Sequence, residues 1–364
     1  MNREATPQPW RLVTATGTQS GWRLGESGGE PWLVLHGGPG GGASPALLAA
    51  FDGTRHAAWG PHQRGSDAAG WHRARRLPVA AMVSDLEALR VALAIPRWSV
   101  LGGSWGAYLA LAYLRRYPAS VERLLLRGSF LGGTHDVWRL IRSMPSGALR
   151  QAGLPQPTSR SGLAAWLAGA RRLFRFTAPG SAASQLTGAW LLAERRSATH
   201  GARRAWLHAG DTDADGQVTA SCRLRAAWRD LRRSERRAGV ALQMRRPVAP
   251  AQERKVALQA RLLSRGCDHL LRGAVPGWRD WLAQAAGSDD QRAPVQLLHG
   301  RFDAVCSPHN VHRLQKWFAD PDCTGAVGST WVHSGHLATE PAMAQALRNV
   351  LRTCLFDPAA RRDQ

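Results

Sequence analysis

Lysine, paired cysteines and long apolar runs are scarce or missing in this chain of 364 residues. Lys255 and Lys316 are its only lysines, so the net charge of +22 comes from arginine, in a chain also crowded with alanine, glycine and tryptophan. This bias is typical of GC-rich coding, and no recognised nucleic-acid motif accompanies it. We therefore expect no specific nucleic-acid partner, while the charge keeps polyanion binding open as an alternative function.

The cysteines form no CxxC pair and follow no regular spacing, a pattern that fits neither a zinc site nor a dithiol redox site. We expect them to be reduced, and we expect a protein that works without a metal or a cofactor. The five residues are Cys222, Cys267, Cys306, Cys323 and Cys354.

No apolar segment resembles a secretion signal or a membrane span. Residues 1–12 lack the apolar core of a signal peptide, and no run approaches the length that crosses a bilayer. We therefore expect a cytoplasmic protein without a membrane partner. The sequence does not indicate its oligomeric state.

The segment from Trp98 to Tyr113 predicts a nucleophile elbow. A short apolar strand leads into Gly102-Gly103-Ser104-Trp105-Gly106, and a helix follows without a breaker. In such a turn, glycines make room for a crowded backbone that presents the serine hydroxyl at the carboxyl edge of a sheet. A glycine-rich turn without a catalytic role shares this spacing, but the flanking strand and helix favour the elbow.

A second glycine-rich loop, His36–Gly42, directly follows a short apolar strand at Trp32–Leu35. Glycines in such a loop allow the backbone itself to approach a ligand. We predict that the amides of Gly38 and Trp105 form the oxyanion hole that stabilises a developing negative charge.

Alternating strands and helices predict an α/β fold with a mostly parallel sheet flanked by helices. Ahead of the parallel strands, we expect a turn-linked edge strand pair between Trp22 and Pro31. Strand signals disappear between about residues 132 and 291, where arginine- and tryptophan-rich helices are expected instead. We predict a first sheet part in residues 1–131, an inserted helical cap in 132–291 and a second sheet part in 292–364. Within the cap, Asp211–Gly216 imitates the opening of a calcium loop, but Cys222 stands where such a loop needs a glutamate. We therefore expect an acidic turn before a helix at Ser221–Arg237.

Asp303 and His336 each follow a predicted strand in the second sheet part. With Ser104 they give the order serine, acid, base, each at the carboxyl end of a strand, which is the order of an α/β-hydrolase triad. Ser104 is the predicted nucleophile, His336 the base and Asp303 the group that orients it. His333, three residues before His336, is a rival base that lies closer to the strand.

Five blocks in the same order resemble the proline iminopeptidases, or prolyl aminopeptidases, which are serine peptidases of the α/β-hydrolase fold. They cover roughly half of the chain. The resemblance implies an α/β-hydrolase fold with a helical cap and release of N-terminal proline from small peptides with a free N-terminus. The blocks are HGGPGGG from His36, GGSWGAYLALAY from Gly102, LLLRGSFL from Leu124, HGRFDAVC from His299 and SGHLATEP from Ser334.

The family binds the substrate's ammonium through acidic cap residues, one of them in a W-x-x-W-E stretch. Trp190–Glu194 resembles that stretch with Ala193 in place of the second tryptophan, so Glu194 is the candidate anchor. The family's second cap glutamate has no clear counterpart, and Asp268 is the candidate substitute. The family's D-Q-R-G-x-G-x-S block keeps only its centre, Gln63-Arg64-Gly65.

These patterns together predict a serine aminopeptidase that releases N-terminal proline through an acyl-enzyme intermediate. A hydrolase with the same triad and another specificity, an esterase or amidase for small acyl or amino-acyl compounds, stays open as the alternative. The third possibility is a polyanion-binding protein whose hydrolase site has decayed.

Overall fold

The computed structural model describes residues 6–26, 28–66, 79–176, 182–209, 216–264, 280–283, 293–319 and 327–353. Its described residues contain a mixed sheet of eight strands, in the order β1-β2-β4-β3-β5-β6-β7-β8 when numbered along the chain. Only the pairs β1–β2 and β2–β4 are antiparallel among those strands. The strands are β1 Gln8–Thr14, β2 Gly17–Leu24, β3 Glu30–Leu35, β4 His56–Pro61, β5 Trp98–Gly103, β6 Val121–Arg127, β7 Val295–Gly300 and β8 Val327–Val332.

The edge hairpin lies earlier in the chain than the sequence indicated. We expected a turn-linked strand pair between Trp22 and Pro31, but the pair is β1 with β2, joined at Thr14 and Gly17. Residues of β1 are mostly exposed or half-buried, so the strand carries little apolar signal. The antiparallel pairing of β2 with β4 then joins this hairpin to the parallel part of the sheet.

Both faces of the sheet are covered, as expected of a mostly parallel sheet. Leu33 and Leu35 of β3 pack on one side, whereas Trp32 and Val34 pack on the other, which follows the two-residue alternation of a strand. Helices connect the strands. In our numbering they are α1 Val79–Ala92, α2 Trp105–Arg116, α3 Thr134–Arg142, α4 Ser146–Gln151, α5 Leu163–Phe176, α6 Ala182–Leu207, α7 Gly216–Gln243, α8 Pro250–Leu263, α9 His309–Phe318 and α10 Pro341–Thr353. Of these, α1, α2, α9 and α10 contact the sheet.

Helices α3 to α8 stand between β6 and β7, and no strand interrupts them in the part of the insertion that the structure describes. Their apolar side chains form a separate buried cluster in which Trp190 of α6 is completely buried. Helix α7 is longer than the predicted Ser221–Arg237 segment and packs along α6. The acidic turn at Asp211 lies outside the described residues. The proposed division at residues 132 and 291 remains a prediction.

Within the described residues, no helix combines the length and the apolar character that crossing a membrane demands.

Candidate active site

Ser104 occupies the sharp turn between β5 and α2. Its backbone has φ 55° and ψ −119°, a conformation that residues other than glycine rarely adopt. The Ser104 amide donates a hydrogen bond of 2.9 Å to the carbonyl oxygen of Arg127 on the neighbouring strand. This strained geometry is that of the elbow predicted from the sequence.

The two glycines of the G-x-S-x-G pattern are needed because backbone passes close to both. A Cβ atom at Gly106 would lie 2.1 Å from the carbonyl oxygen of Leu35. One at Gly102 would lie 2.4 Å from the carbonyl oxygen of Gly106. The spacing therefore reflects how tightly α2 begins against β3 and β5.

Asp303 and His336 meet just beyond the ends of β7 and β8. His336 Nδ1 lies 2.7 Å from Asp303 Oδ2, and both side chains are buried. The other carboxylate oxygen, Oδ1, accepts hydrogen bonds from the amides of Val305 and Cys306 at 2.8 and 2.9 Å. Burial acts to raise the pKa of Asp303, but the neighbouring His336, with its charge and hydrogen bond, holds that pKa below its usual value. An ionised Asp303 accepts from Nδ1–H, which leaves Nε2 of His336 free to take a proton.

Ser104 and His336 line one cavity of about 300 Å³. In the described structure, no hydrogen bond joins Ser104 Oγ to the His336 ring, and the serine oxygen instead lies 3.9 Å from Cys306 Sγ. Asp303 and His336 are thus joined directly, and Ser104 lies in the wall of the cavity that His336 also lines. The action of these three residues as a catalytic unit remains a proposal.

Cys306 lies at the candidate site, although the cysteine pattern predicted no role for it. It is buried in the cavity wall, and burial raises the pKa of its thiol well above the usual value. A neutral thiol is a poor nucleophile, so Cys306 does not compete with Ser104 at neutral pH. Its position three residues after Asp303 is the sequence feature that could have indicated its closeness to the site.

The glycine-rich loop passes directly against the serine. A Cβ atom at Gly37 would lie 3.2 Å from Ser104 Cβ, and Gly38 lines the cavity. Within the described residues, neither the Gly38 amide nor the Trp105 amide donates a hydrogen bond. Both donors therefore remain available, as an oxyanion hole requires, and that role remains our proposal.

His36 and Gln63 fix the base of this loop. The Gln63 amide donates to His36 Nε2 at 3.2 Å, and the Gln63 side-chain amide donates to the His36 carbonyl oxygen at 2.8 Å. Burial lowers the pKa of His36 to about 4, so the ring is neutral and can accept this bond. Gln63 Oε1 also accepts from Trp105 Nε1 at 3.2 Å. Gln63, the first residue of the Gln-Arg-Gly centre, thus connects the glycine loop to Trp105, the two segments of the proposed oxyanion hole.

Two buried charged side chains hold the backbone around His336. Glu340 accepts hydrogen bonds from the amides of Gly335 and Leu337 at 2.6 and 2.9 Å. The guanidinium of Arg127 donates to the carbonyl oxygen of His336. Neither residue lies in a local sequence pattern that predicts this role, because each contact forms only in the folded chain.

Glu194 lies in the cavity wall, as its proposed role requires, but it is not free. Lys255 Nζ lies 2.9 Å from Glu194 Oε2, and Gln259 Nε2 donates to Oε1 at 3.0 Å. Lys255 and Gln259 both belong to α8 and were not expected here. Asp268, the other candidate anchor, lies outside the described residues.

The rival base His333 points elsewhere. Its Nε2 donates to the carbonyl oxygen of Ala205 at 2.7 Å, and its ring packs against Phe302. The side chain is absent from the lining of the cavity among the described residues. The geometry therefore favours His336 as the base.

Comparison with known proteins supports the fold and the resemblance. Residues 31–161 match the family model described as the alpha/beta hydrolase fold. A proline iminopeptidase of Xylella fastidiosa is 41% identical over 117 residues, which cover 30% of this chain and 35% of the relative. One of Arabidopsis thaliana is 43% identical over 108 residues, 29% of this chain and 28% of the relative. The matches thus span about a third of the length of these curated relatives.

Solved structures extend the similarity of fold along the chain. A proline iminopeptidase-related protein from Thermus thermophilus has a TM-score of 0.51 at 18% identity, covering 96% of this chain and 98% of that one. A 2-hydroxy-6-oxo-6-phenylhexa-2,4-dienoate hydrolase from a Rhodococcus strain also has a TM-score of 0.51, at 14% identity, covering 96% and 99%. Such identities establish the fold alone. The chain therefore has the predicted α/β-hydrolase fold, and its sequence is similar to the proline iminopeptidases over about 30% of its length.

Proposed function

We propose that this chain is a serine hydrolase of small amide and ester substrates, and that peptides with N-terminal proline are among them. The observation that carries the proposal is the hydrogen bond of 2.7 Å between His336 Nδ1 and Asp303 Oδ2 beside a cavity lined by Ser104. An acid and base paired in this way can activate a serine that faces the same space.

In the proposed reaction, Ser104 Oγ attacks the substrate's carbonyl carbon and His336 Nε2 takes the serine's proton. Asp303 keeps the imidazole oriented and stabilises its positive charge. The amides of Gly38 and Trp105 stabilise the negative oxygen that forms. His336 then gives its proton to the leaving amine or alcohol, and water releases the acyl group from Ser104 by the same steps.

The choice of prolyl peptides rests on the similarity to proline iminopeptidases and on Glu194 in the cavity wall. The carboxylate of Glu194 would bind the ammonium of a substrate with a free N-terminus. No metal or cofactor enters this mechanism. The expected cytoplasmic location remains a prediction.

The second candidate is an esterase or amidase for small acyl groups without an N-terminal ammonium. The contact of 2.9 Å between Lys255 and Glu194 favours it, because a substrate ammonium must compete with Lys255 for the same carboxylate. Polyanion binding gains no comparable observation, since no described residue of the cavity suggests a decayed site.

The test is hydrolysis of prolyl-β-naphthylamide, alanyl-β-naphthylamide and p-nitrophenyl acetate by the wild type and by Ser104→Ala. Ser84→Ala, which changes an exposed serine on α1, is the matched control. Prolyl turnover that only Ser104→Ala abolishes supports the aminopeptidase. Ester turnover alone, with the same dependence on Ser104, supports the second candidate. Turnover that Ser104→Ala leaves intact contradicts both.

A further inference from the structure

Lys255 gives the cavity a positive charge that a site for a lone ammonium does not need. Its Nζ lies 2.9 Å from Glu194 Oε2, and both side chains are about one quarter exposed, at 25% and 26%. An ammonium group has three donors, so Lys255 keeps two of them beyond its bond to Glu194. The pair therefore presents a positive and a negative group side by side to the cavity.

Gln259 adds an unused acceptor to the same wall. Its side chain is 1% exposed, and its Nε2 donates to Glu194 Oε1 at 3.0 Å. Its Oε1 is buried without a hydrogen-bond partner among the described residues. A buried acceptor without a partner costs free energy, and a hydrogen bond from a ligand donor would offset that cost.

Charge balance selects the group that fits this wall. A lone ammonium at Glu194 leaves the positive charge of Lys255 unmatched beside it, and a lone carboxylate at Lys255 leaves Glu194 unmatched. A group with both charges pairs with both side chains and adds no net charge to the Glu194–Lys255 pair. The ammonium and carboxylate of a free α-amino acid are attached to one carbon, so they are as close to each other as the charges of the pair.

We propose that Glu194, Lys255 and Gln259 form a subsite for the free α-amino-acid end of a substrate whose scissile carbonyl lies at the end of its side chain. The chemical class is the side-chain amides and esters of acidic amino acids, such as γ-glutamyl compounds. Glu194 and Gln259 Oε1 accept hydrogen bonds from the ammonium, and Lys255 donates to the carboxylate. This inference rests on the proposed serine hydrolase.

The reaction is an ordinary hydrolysis. Ser104 Oγ forms a bond to the side-chain carbonyl carbon, the bond from that carbon to the leaving nitrogen breaks, and the amine leaves with the proton that His336 took from Ser104. Water then attacks the acyl-enzyme, gives a proton to His336 and releases the free amino acid, after which Ser104 regains its proton.

The test compares four p-nitroanilides that share the same leaving group and differ in the acyl group. The γ-glutamyl compound carries both charges, the glutaryl compound only the carboxylate and the 4-aminobutyryl compound only the ammonium, and the fourth is prolyl. The variants are Lys255→Met and, as the matched control, Lys316→Met, which changes the other lysine at an exposed position of α9. We expect kcat/KM of the wild type to be highest for γ-glutamyl, by about tenfold. We expect Lys255→Met to lower the ratio of γ-glutamyl to 4-aminobutyryl turnover by about tenfold, mainly through KM, and Lys316→Met to leave it unchanged.

A binding measurement separates this inference from the proposed function. Free L-glutamate, the product, should raise the Tm of the Ser104→Ala protein more than glutarate or 4-aminobutyrate does, and Lys255→Met introduced into that protein should remove the difference. Equal effects of the three compounds, or equal loss of all four anilide activities in Lys255→Met, overturn the inference. Ester hydrolysis that persists in Ser104→Ala overturns the proposed function instead.

Discussion

Arg127 connects the serine elbow to the loop that carries His336. Its guanidinium donates to the carbonyl oxygen of His336, and its own carbonyl oxygen accepts the Ser104 amide at 2.9 Å. Burial lowers the pKa of this guanidinium. One residue at the end of β6 therefore fixes the backbone on both sides of the proposed reaction.

Replacing Arg127 by methionine should lower kcat while KM changes little. The loss of this bond releases the His336 loop, and a displacement of about 1 Å costs on the order of a hundredfold in rate. The measurement is steady-state hydrolysis of p-nitrophenyl acetate, with circular dichroism to confirm folding. Arg127→Lys keeps the charge and should recover part of the rate. Full activity in a folded Arg127→Met protein would show that the contact does not position His336.

Glu340→Gln should weaken the same loop from its other side. The amide side chain keeps one acceptor oxygen, so one of the two amides at Gly335 and Leu337 loses its partner. A buried donor left without a partner costs about 1–3 kcal/mol. We expect a lower free energy of unfolding in urea and a lower kcat. Urea curves that superimpose on those of the wild type would contradict this account.

Gly106→Ala should damage the elbow. The added Cβ would lie 2.1 Å from the Leu35 carbonyl oxygen, and backbone atoms cannot move aside as a flexible side chain can. We expect a loss of about 3 kcal/mol in the free energy of unfolding, together with the loss of activity. The control is Gly239→Ala in α7, where, apart from the local helix backbone, no atom of the described residues lies within 4 Å of the added Cβ. That change should stabilise the helix by about 0.5–1 kcal/mol, and equal effects of the two variants would contradict the prediction.

His36 should make stability depend on pH. Its pKa is lowered from 6.5 to about 4 in the folded protein, so the unfolded chain binds more protons between these values. This contribution to stability is fully present above the pKa of His36 in the unfolded chain and is lost as the pH falls through its pKa in the folded protein. It amounts to about 3 kcal/mol.

Urea unfolding of the wild type and of His36→Gln from about pH 7 to about pH 4 checks this prediction. Other histidines with lowered pKa values, His56 and His299, act in the same direction in both proteins. The difference between the proteins therefore isolates His36. Parallel pH profiles would show that its protonation is not linked to folding.

The buried strands, the serine elbow and the glycine loop could be predicted from the sequence, because each depends on residues that are adjacent in the chain. The strands β3, β5 and β7 are almost entirely buried and contain short apolar stretches, and the elbow and the glycine loop carry glycines at positions that the backbone contacts require. The residues before Pro31 were assigned to the wrong strand pair because the edge strand β1 is largely exposed and has a weak apolar pattern.

Contacts between distant segments were not predictable from local patterns. Lys255 is 61 residues from Glu194, and Arg127 is 209 residues from His336. The residues next to Lys255 or Arg127 in the sequence do not indicate these partners. The packing of α8 against α6 brings Lys255 to Glu194, and the order of the strands brings Arg127 to His336. Glu340 is close to His336 in sequence, yet its two hydrogen bonds to backbone amides leave no trace in the residue pattern.

Covalent labelling of Ser104 reports directly on whether this serine is a nucleophile activated by His336. A fluorophosphonate reacts with an activated serine, whose oxygen displaces fluoride from phosphorus, and peptide mass spectrometry locates the adduct. We predict a single adduct on Ser104, formed together with the loss of ester hydrolysis, no adduct in Ser104→Ala and much slower labelling in His336→Gln. Labelling at another residue, or unchanged labelling rates in His336→Gln, would contradict a serine nucleophile activated by His336.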